Sequence, residues 1–535
     1  MKLPCMILSL GLLFAGAVIS SAQSTLYLAS TAAGTGLGTS CANAQAFGGS
    51  RTAIAGSTLT LCGTFTSSIT LNGSGTNTAP ITLAFDCASQ AKFSMPALPS
   101  SGTVILTGSY VIVDGKSCGF VTPASGPSSG QSYSQMASTS NCQSGCTNSQ
   151  ISMGIIANSG NSNVTIQNLS MGPFFLHNTT APTPWGGAPY PVAFQFNYAK
   201  GNITANNNYL TDCAWCFTGQ SGSVTISNNV IRNFDHGLGM GIDSTTPLVI
   251  SNVYYFGNDL SGASAWDTTD NEFHHDGLHL WAYCSDNNSY CDGSYWSNVY
   301  IYGNHFHGNW GTHPTAFVYF EDNVRNAWLF NNIFDCSTSP SQCNTSVTYL
   351  PGVNVNVLNN TFFAYPGTVG GQLTLGGPNI TVVNNIFATT SLYFVGIMPT
   401  DTSGNNKTSN VILRNNVYMN NQGKNGWMYQ GKWYQAYSSW QAASGELAGN
   451  YYQEMTVDPT TGKLLSGSPA AGQGIDLTAT CILQPNPGLG ALCFDNAAQP
   501  RAFLSGVKWD PGVHKSPQSS TPGIPGTVKG SVGPK

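Results

Sequence analysis

Short runs of alternating hydrophobic and polar residues recur through the middle of the chain, and most end at an Asn-Asn pair or a variant of it. The runs span about three to six residues and return about every 20–30 residues, except where an insertion follows residue 248. Alternation with period two predicts strands with one buried face. Repeats of this size are typical of a solenoid or a propeller. Eight units carry the pattern, beginning at Asn163, Asn202, Ser223, Asn298, Asn326, Asn354, Asn379 and Asn410.

The length of the units favours a solenoid, because a propeller blade needs four strands in about 40 residues. Each run is too short to be stable alone. Asn tolerates the left-handed backbone conformation and stands where the chain turns between two runs. If every coil places Asn at the same corner, the amides stack and hydrogen-bond from coil to coil. The sequence therefore predicts an all-β, single-stranded, right-handed parallel β-helix with an Asn ladder.

The two ends of the chain differ from the repeating middle. Residues 1–22 have the order of a secretory signal peptide, with Lys2, an apolar stretch over 6–18 and small residues at 20–22, so we expect a secreted, extracellular protein. Residues 515–535 are rich in Pro, Gly and Ser, which is typical of a flexible tail. Between them we assign an N-terminal cap and the first coils to residues 23–150. The β-helix core follows at 151–455, and a C-terminal closing module at 456–514.

Cysteine spacing adds a set of local disulfides to this picture. With Cys5 inside the signal segment, 14 cysteines remain, and they fall into neighbours. An exported chain with paired neighbours predicts short disulfides that staple loops. The expected pairs are Cys41/Cys62, Cys87/Cys118, Cys142/Cys146, Cys213/Cys216, Cys284/Cys291, Cys336/Cys343 and Cys481/Cys493.

Charge is scarce, since only 7% of residues are Asp, Glu, Lys or Arg, and the net charge is −5. Asn, Ser and Thr compete with the backbone for hydrogen bonds and do not favour helix interiors. This composition excludes a helical bundle and a coiled coil. There is no Lys/Arg run and no later stretch of 18 apolar residues, so we expect neither nucleic acid nor membrane as a partner.

Three stretches of the chain resemble the secreted right-handed parallel β-helix proteins of the pectate-lyase-like superfamily. They are the Asn-Asn ladder over residues 163–421, the opening segment 57–84, and the closing motifs LLSGSPAAGQGID (from Leu464), QPRAF (from Gln499) and WDPG (from Trp509). The resemblance implies the fold and a carbohydrate-active protein. It does not choose an activity, because one fold hosts lyases, hydrolases, esterases, epimerases and adhesins.

The ionisable residues concentrate in residues 235–322. This segment holds eleven of the 22 carboxylates and seven of the nine His, without one Lys or Arg. We interpret it as the active face. The strands after successive corners read GLGMGID, GLHLWAYC and TAFVYFED, and we align Leu238, Leu278 and Ala316 as inward equivalents. Alternation then places three outward sets on one face: Gly239, Gly241 and Asp243; His279, Trp281 and Tyr283; Phe317, Tyr319 and Glu321.

From this patch we assign roles. The catalytic candidates are Asp276, His279, Asp243 and Glu321, with Asp243 and Glu321 at matching places two coils apart, about 9–10 Å between backbones. The segment around Asp276 partly resembles the Asp-Gly segment of polygalacturonase-like hydrolases, and Gly277 would expose Asp276 at the rim. The next coil carries Trp310-Gly-Thr-His313 where that family has other motifs, so the family is not assigned. Supporting residues are Asp235, His236, His275, His307 and His313. Substrate-binding aromatics are Trp281, Tyr283, Tyr319, Trp310 and Trp266.

Three functions fit these residues. We favour a polysaccharide-degrading glycoside hydrolase that requires no cofactor, in which crowded acids have separated pKa values. The first alternative is a uronate lyase with a His279/Tyr283 base and Ca²⁺. The second is a non-catalytic glycan-binding surface or adhesin. Metal identity stays open, since Asp235, His236, His275, Asp276, His279, His307 and His313 include hard and borderline ligands. We expect a polysaccharide as the partner and a monomer.

Overall fold

Strands of successive coils stack in parallel through most of the chain, as the repeat predicts. The computed structural model describes residues 25–96, 98–121, 130–131, 133–140, 152–158, 160–177, 191–243, 247–268, 275–283, 293–311, 314–321, 323–336, 347–364, 371–388, 392–401, 407–420, 426–458, 460–482, 487–499, 501 and 508–514. The predicted signal peptide (1–22) and tail (515–535) lie outside these residues.

Each full coil supplies one strand to each of three parallel sheets, which we call A, B and C in chain order. Sheet A contains β1 (Thr25–Ala29), β4 (Thr58–Cys62), β7 (Ile81–Phe85), β10 (Val111–Asp114), β15 (Val164–Gln167), β20 (Val249–Phe256), β23 (Tyr295–Tyr302), β26 (Val324–Phe330), β29 (Val353–Leu358), β32 (Pro378–Val383) and β35 (Ser409–Arg414). Sheet B contains β5 (Thr64–Phe65), β8 (Lys92–Met95), β13 (Met136–Ser138), β16 (Ser170–Met171), β21 (Asp259–Ser261), β24 (His305–His307), β27 (Ile333–Cys336), β30 (Thr361–Ala364), β33 (Ile386–Ala388), β36 (Val417–Met419) and β39 (Asn450–Tyr452). Sheet C contains β3 (Ser50–Thr52), β6 (Ile69–Asn72), β9 (Val104–Leu106), β14 (Met153–Ala157), β22 (His275–Tyr283), β25 (Pro314–Phe320), β28 (Thr348–Pro351), β31 (Gly371–Gly376), β34 (Tyr393–Ile397) and β37 (Trp427–Tyr429).

Three long strands pass through a corner and serve two or three sheets. They are β17 (Val192–Asn206), β18 (Tyr209–Ser227) and β19 (Val230–Asp243). The remaining strands are β2 (Gln45–Ala46), the hairpin of β11 (Phe120–Val121) with β12 (Gly130–Gln131), and β38 (Lys432–Tyr434), antiparallel to β37. Short helices are α1 (Tyr437–Ser444), α2 (Thr478–Ile482) and α3 (Pro487–Gly490), with 3-10 turns at Cys41–Asn43, Ser264–Thr268 and Ala491–Cys493. Strand pairing continues across residue 150, because β10 pairs with β15.

The corner between sheets A and B explains the Asn-Asn repeat. The first residue of each pair has positive φ, for example 55° at Asn331 and 59° at Asn384. Gly257 and Gly303 occupy the same position in the two coils that lack the first Asn, since glycine adopts this conformation without strain. The predicted role of Asn at the corner is confirmed.

The second Asn of each pair forms a buried ladder. Each side-chain amide donates to the next carbonyl oxygen at 2.9–3.0 Å, and that oxygen also accepts a backbone N–H from the preceding Asn. Because each amide of this ladder is hydrogen-bonded to the neighbouring coil, one register is strongly favoured. The ladder consists of Asn208, Asn229, Asn258, Asn304, Asn332, Asn360, Asn385 and Asn416.

The C-terminal end of the ladder terminates on Glu446. Its Oε1 accepts from Asn416 Nδ2 and the Tyr418 hydroxyl at 3.0 Å each, and its Oε2 accepts from Trp440 Nε1 at 2.9 Å. Burial raises the pKa of Glu446 to about 6, although these hydrogen bonds act in the opposite direction. Trp440 lies on α1 and stacks on Trp427, so α1 and the β37–β38 hairpin cover the end of the core.

Inside the coils, aromatic and aliphatic side chains stack along the helix axis. Rings on successive strands of sheet B lie 4.8–5.3 Å apart between centroids, with interplanar angles of 8–14°. This continuous apolar column is the core that single coils cannot form alone. The column consists of Phe306, Phe334, Phe362, Phe387 and Tyr418.

The segment after β39 packs against the outside of the coils beside the Asn corner. The outward amides of Asn331, Asn384 and Asn415 donate to backbone carbonyls of Phe494, Ile475 and Gln473 at 2.7–2.9 Å. Arg501, 3% exposed, also bonds Oδ1 of Asn331 at 3.1 Å. The corner thus holds the ladder on its inner side and the C-terminal segment on its outer side.

Disulfides join four of the predicted pairs: Cys41–Cys62, Cys87–Cys118, Cys213–Cys216 and Cys481–Cys493. The other three predicted pairs fall wholly or partly outside the described residues. Among the described residues the longest α-helix has eight residues, and none of the helices there has the length and apolarity to cross a bilayer.

Candidate functional site

The predicted patch lies on sheet C, where three neighbouring coils contribute β19, β22 and β25. Leu238 pairs with Leu278 as expected. The third coil differs from the predicted alignment, because Leu278 pairs with Val318 and Ala316 pairs with Asp276. The prediction that Ala316 is equivalent to Leu278 was therefore wrong by two residues.

A β-bulge at the start of the β22–β25 pair accounts for one residue of this shift. His275 pairs with Pro314, but Asp276 pairs with Ala316, so Thr315 is an extra residue on β25. A bulge displaces every later residue of its strand against the partner. Alternation within one strand carries no information about such an insertion.

The shift changes which side chains are neighbours. Tyr319 pairs with His279, and Glu321 follows beside Trp281. Phe317 was predicted to face outward with these residues, but it is buried in the core. Glu321 is consequently brought against His279 rather than into line with Asp243.

Asp243 pairs with Tyr283 at the backbone, two residues further along the sheet than Glu321. Two coil steps and two residues of strand give about 12 Å between the Asp243 and Glu321 backbones, longer than the expected 9–10 Å. The side chains of Asp243 and Tyr283, and the whole of His313, lie outside the described residues.

Asp276 is fully buried, and the expectation that it is exposed at the rim was wrong. The backbone at Gly277 runs so close to the core that a Cβ there would lie 2.5 Å from Phe306 and from the Phe317 carbonyl oxygen. Gly277 lies within β22 and not at the predicted turn, and glycine is needed there because of this close approach. Its Oδ1 accepts the Ala316 backbone N–H at 3.0 Å.

Two imidazoles meet at the other oxygen of this carboxylate. Nε2 of His236 and Nδ1 of His279 each lie 3.5 Å from Oδ2 of Asp276. On its far side, His279 Nε2 lies 2.9 Å from Oε2 of Glu321. Burial lowers the pKa of His279, although the two carboxylates favour its charged form. The Glu321 side chain is 25% exposed and forms the solvent-facing end of this group.

A second chain of contacts extends inward from His236. Its Nδ1 lies 3.2 Å from Oδ2 of Asp235, whose Oδ1 lies 2.6 Å from Nδ1 of His275. Nε2 of His275 then reaches Oδ1 of Asp267 at 2.9 Å. Burial alone would lower the pKa of His275, but hydrogen bonds to the two carboxylates raise it to about 9. His275 is therefore a buried cation between two acids at neutral pH. Burial opposes ionisation of Asp235, but His236 first and then His275 lower its pKa.

Aromatic rings enclose these polar groups. Trp215 stacks on His236 with centroids 4.0 Å apart and planes at 7°. Trp281 and Tyr319 each place a ring centroid 4.7 Å from that of His279, and both are only partly buried. The described patch therefore presents two aromatic rings beside the one open carboxylate of Glu321.

Glycines on β19 make room for the two indoles. A Cβ on Gly239 would collide with the ring of Trp215, and one on Gly241 would collide with the ring of Trp281. The sequence placed both glycines on the outward face, and their pairing with β22 agrees. Their function is steric: the rings lie over the neighbouring strand.

Two predicted substrate-binding tryptophans are buried instead. Trp310 is 0% exposed, packs on Phe317 at 4.1 Å between centroids and donates to the His307 carbonyl. Trp266 is also 0% exposed, and its Nε1 donates to the Asn233 carbonyl at 2.9 Å. Neither ring offers a face to a sugar, so these two assignments are corrected.

His307 lies in a separate group on sheet B. Its Nε2 contacts Oδ1 of Asp259 at 2.8 Å, and Arg232 contacts the same oxygen at 2.7 Å. Burial opposes ionisation of Asp259, but these partners lower its pKa to about 2. The neighbouring His305 has a pKa lowered to about 4, chiefly by burial. This ion-paired group does not belong to the cluster around Asp276.

Sequence reasoning missed three members of the site. Asp267 was counted among the acids without a role, Trp215 lies between the paired cysteines of Cys213-Ala-Trp-Cys216, and Tyr349 extends the aromatic row at 5.5 Å from Tyr319. Local spacing could have identified only Trp215, whose strand precedes β19 in the repeat. Asp267 lies in the 3-10 turn Ser264–Thr268, outside the strands. Tyr349 pairs with Tyr319, which follows the bulge.

The geometry permits two kinds of chemistry. Glu321 can exchange a proton with a bound molecule, since it is open to solvent and fixed by His279. One ligand atom from each of His236, Asp276 and His279 also lies within 4.8 Å of the others, close enough to share a metal ion.

A scan against protein-family models finds no family that matches the chain, and no curated protein matches it. Among solved structures, the pectate lyase Pel9A is 14% identical, over 92% of this chain and 96% of its own, with a TM-score of 0.31. XylC in complex with xylose is 10% identical over 76% and 86%, with a TM-score of 0.34. GH136 lacto-N-biosidase from Eubacterium ramulus is 10% identical over 80% and 67%, with a TM-score of 0.31. Likenesses this distant carry no argument about the site. The stacked parallel strands and the Asn ladder of the chain itself establish that it is a parallel β-helix protein, as the sequence predicted.

Proposed function

We propose that the protein is a secreted enzyme that cleaves a polysaccharide by hydrolysis, with Glu321 transferring the proton. The observation that carries this proposal is the 2.9 Å contact between Glu321 and His279 at the edge of an aromatic-lined face. Hydrolysis of a glycosidic bond needs a carboxyl group positioned to donate or accept a proton.

Glu321 suits this role better than the other acids of the cluster. Its side chain is 25% exposed, whereas Asp276 is fully buried and fixed by a backbone N–H. Both nitrogens of His279 face carboxylates, so this imidazole acts as a positioning residue that orients Glu321. This revises the sequence-based assignment of Asp276 and His279 as the groups that meet the substrate.

The flanking aromatics support a sugar as the bound molecule. Trp281 and Tyr319 are partly exposed on either side of His279. Aromatic rings bury large apolar area at low entropic cost while keeping a polar edge accessible, which suits the C–H faces and hydroxyls of a sugar. The predicted polysaccharide partner is therefore retained in the proposal.

A second carboxyl group is required, and we assign Asp243 to it. The backbones of Asp243 and Glu321 lie about 12 Å apart, and side chains that lean toward each other bring their carboxyl groups closer than this. We propose inversion, because this separation leaves room for a water molecule between the two acids.

The lyase alternative is weaker, because its proposed base is His279, which is turned toward carboxylates on both sides. A lyase must also neutralise a uronate carboxylate, and residues 235–322 contain no Lys or Arg. A glycan-binding surface without catalysis would use the same aromatics.

The test incubates the purified full chain with neutral and uronate polysaccharides, reading new reducing ends and near-ultraviolet absorbance together. We expect reducing ends without an unsaturated product. An absorbing product would identify a lyase, and binding without new ends would identify an adhesin. Either outcome overturns the proposal.

A further inference from the structure

We propose that Nε2 of His236, Oδ2 of Asp276 and Nδ1 of His279 bind one divalent transition-metal ion, with Zn²⁺ the best match. The site is independent of the proposed hydrolysis, because it rests on ligand geometry and not on a substrate.

The distances between the ligand atoms carry the proposal. Each imidazole nitrogen lies 3.5 Å from the carboxylate oxygen, beyond the roughly 2.7–3.2 Å of an N–H···O hydrogen bond. A tetrahedral ion with bonds of about 2.0–2.1 Å separates its ligands by about 3.4 Å. The three atoms lie within 4.8 Å of one another. A small movement of the two imidazoles toward each other would place the three atoms at the corners of one face of a coordination tetrahedron.

The outer nitrogens of both imidazoles have the partners that metal-bound histidines usually have. Nδ1 of His236 faces Asp235 at 3.2 Å, and Nε2 of His279 faces Glu321 at 2.9 Å. If each outer nitrogen carries the proton and donates a hydrogen bond to its carboxylate, the inner nitrogens present lone pairs toward Asp276. Carboxylate–histidine–metal arrangements fix the tautomer and raise the basicity of the ligand in this way.

The remaining oxygen of the carboxylate ligand is also held. Oδ1 of Asp276 accepts the Ala316 N–H at 3.0 Å, which leaves Oδ2 directed between the two imidazoles. The bulge at Thr315 sets this contact, since it brings Ala316 opposite Asp276. The irregular residue of β25 thus has a defined role in the site.

The donor set selects the type of ion. Ca²⁺ takes six to eight oxygen ligands, and Mg²⁺ requires near-ideal octahedral oxygen geometry, so two nitrogens suit neither. Imidazole with one carboxylate suits Zn²⁺ and its first-row neighbours. With the ion bound to Nδ1, the proton of His279 is on Nε2, which donates a hydrogen bond to Glu321. This hydrogen bond holds the solvent-exposed carboxylate of Glu321 in place.

The experiment measures metal binding directly on the full chain. After treatment with a chelator, Zn²⁺ is titrated by calorimetry and bound metal is counted by mass spectrometry, while Co²⁺ reports tetrahedral coordination by visible absorption. We expect one ion per chain with tetrahedral Co²⁺ bands. Asp276→Asn and His236→Ala should each weaken binding by more than about 100-fold, and Asp235→Asn by about 10–100-fold.

His307→Ala is the matched control, because His307 belongs with Asp259 and His305 to the other described group that could hold an ion, and its loss should leave binding at the proposed site unchanged. Circular dichroism verifies the fold of each variant. Asp276→Asn keeps the size of the side chain and an oxygen that can accept the Ala316 backbone N–H. Less than about 0.1 ion per wild-type chain overturns the proposal, as does full binding in a folded Asp276→Asn or loss of binding only in His307→Ala. Because no sugar is present, these results stay separate from those on hydrolysis.

Discussion

His236 and His279 lie on neighbouring coils with ring centroids 5.7 Å apart and planes at 22°, and each turns one nitrogen to the same buried carboxylate. The parallel pairing of β19 with β22 places His236 opposite Asp276, three residues before His279. Their outer nitrogens face different acids, Asp235 for His236 and Glu321 for His279. The two rings therefore connect the buried carboxylate of Asp235 to the solvent-facing carboxylate of Glu321.

Removing the indole of Trp281 should weaken substrate binding more than turnover. The ring lies beside His279 and is partly exposed, so Trp281→Ala is expected to raise KM about tenfold, about 1.4 kcal/mol of binding, with kcat changed little. Steady-state kinetics on a cleaved polysaccharide measure this. Trp433→Ala is the control, since Trp433 is 41% exposed on β38 at the end of the coils. Equal effects in both variants would contradict the assigned role of Trp281.

His275 should make the stability of the protein depend on pH above neutrality. Its folded pKa of about 9 exceeds the ordinary value of 6.5, so the stabilisation is complete below pH 6.5 and is lost as pH rises through 9. The shift corresponds to about 3 kcal/mol. The difference in unfolding free energy between wild type and His275→Gln, measured in chelator by urea denaturation, should shrink across that range.

His305→Gln provides the control for this series. The pKa of His305 is lowered to about 4 from an ordinary 6.5, so above about pH 7.5 it is neutral in both folded and unfolded chains. The difference in unfolding free energy between His305→Gln and wild type should stay flat from about pH 7.5 to 9. A flat profile for His275→Gln as well would show that His275 is not a buried cation.

Glu446 should affect stability in the acid range. Because its folded pKa is about 6 against an ordinary 4.5, its stabilising contribution is complete below pH 4.5 and declines by about 2 kcal/mol as pH rises past 6. The difference between wild type and Glu446→Gln should therefore narrow from pH 4.5 to 6.5. Glu454→Gln, at an exposed position, should show no such trend. A widening difference for Glu446 would contradict the assignment.

A ladder asparagine should contribute more to stability than an outer one. Asn332 donates to Asn360 and accepts from Asn304, both at 2.9 Å and fully buried. Asn332→Ala leaves buried partners unsatisfied and should cost about 1–3 kcal/mol. Asn72→Ala removes surface hydrogen bonds of 2.8 Å to Ser50 and Thr107 at a residue without positive φ, and should cost less than about 0.5 kcal/mol. Thermal and urea unfolding compare the two, and equal losses would contradict the ladder's role.

The fold could be predicted because a solenoid repeats its constraints. The same corner recurs at Asn332, Asn360 and Asn385, and each copy requires one left-handed residue followed by one buried amide. Such a requirement is local, so it appears in the sequence as Asn-Asn or Gly-Asn. The inward alternation before each corner is equally local.

The site could be located but not assembled from the sequence. Clustering of acids and histidines identified the coils, but Gly277 lies within β22 and not at the predicted turn. The bulge at Thr315 is invisible to alternation and accounts for one of the two residues by which the contacts of Glu321 and Tyr319 were misplaced. Trp310 is buried against Phe317, which lies in the core and not on the predicted outward face.

The most direct test of the proposed function is the initial rate of Glu321→Gln on the polysaccharide that the wild type cleaves. Gln keeps the size of the side chain but cannot exchange a proton, so the rate should fall about 10²–10⁴-fold with the fold intact. Glu454→Gln, which alters an exposed acid beyond the last coil, should keep the wild-type rate. A folded Glu321→Gln protein that cleaves as fast as the wild type would contradict the account.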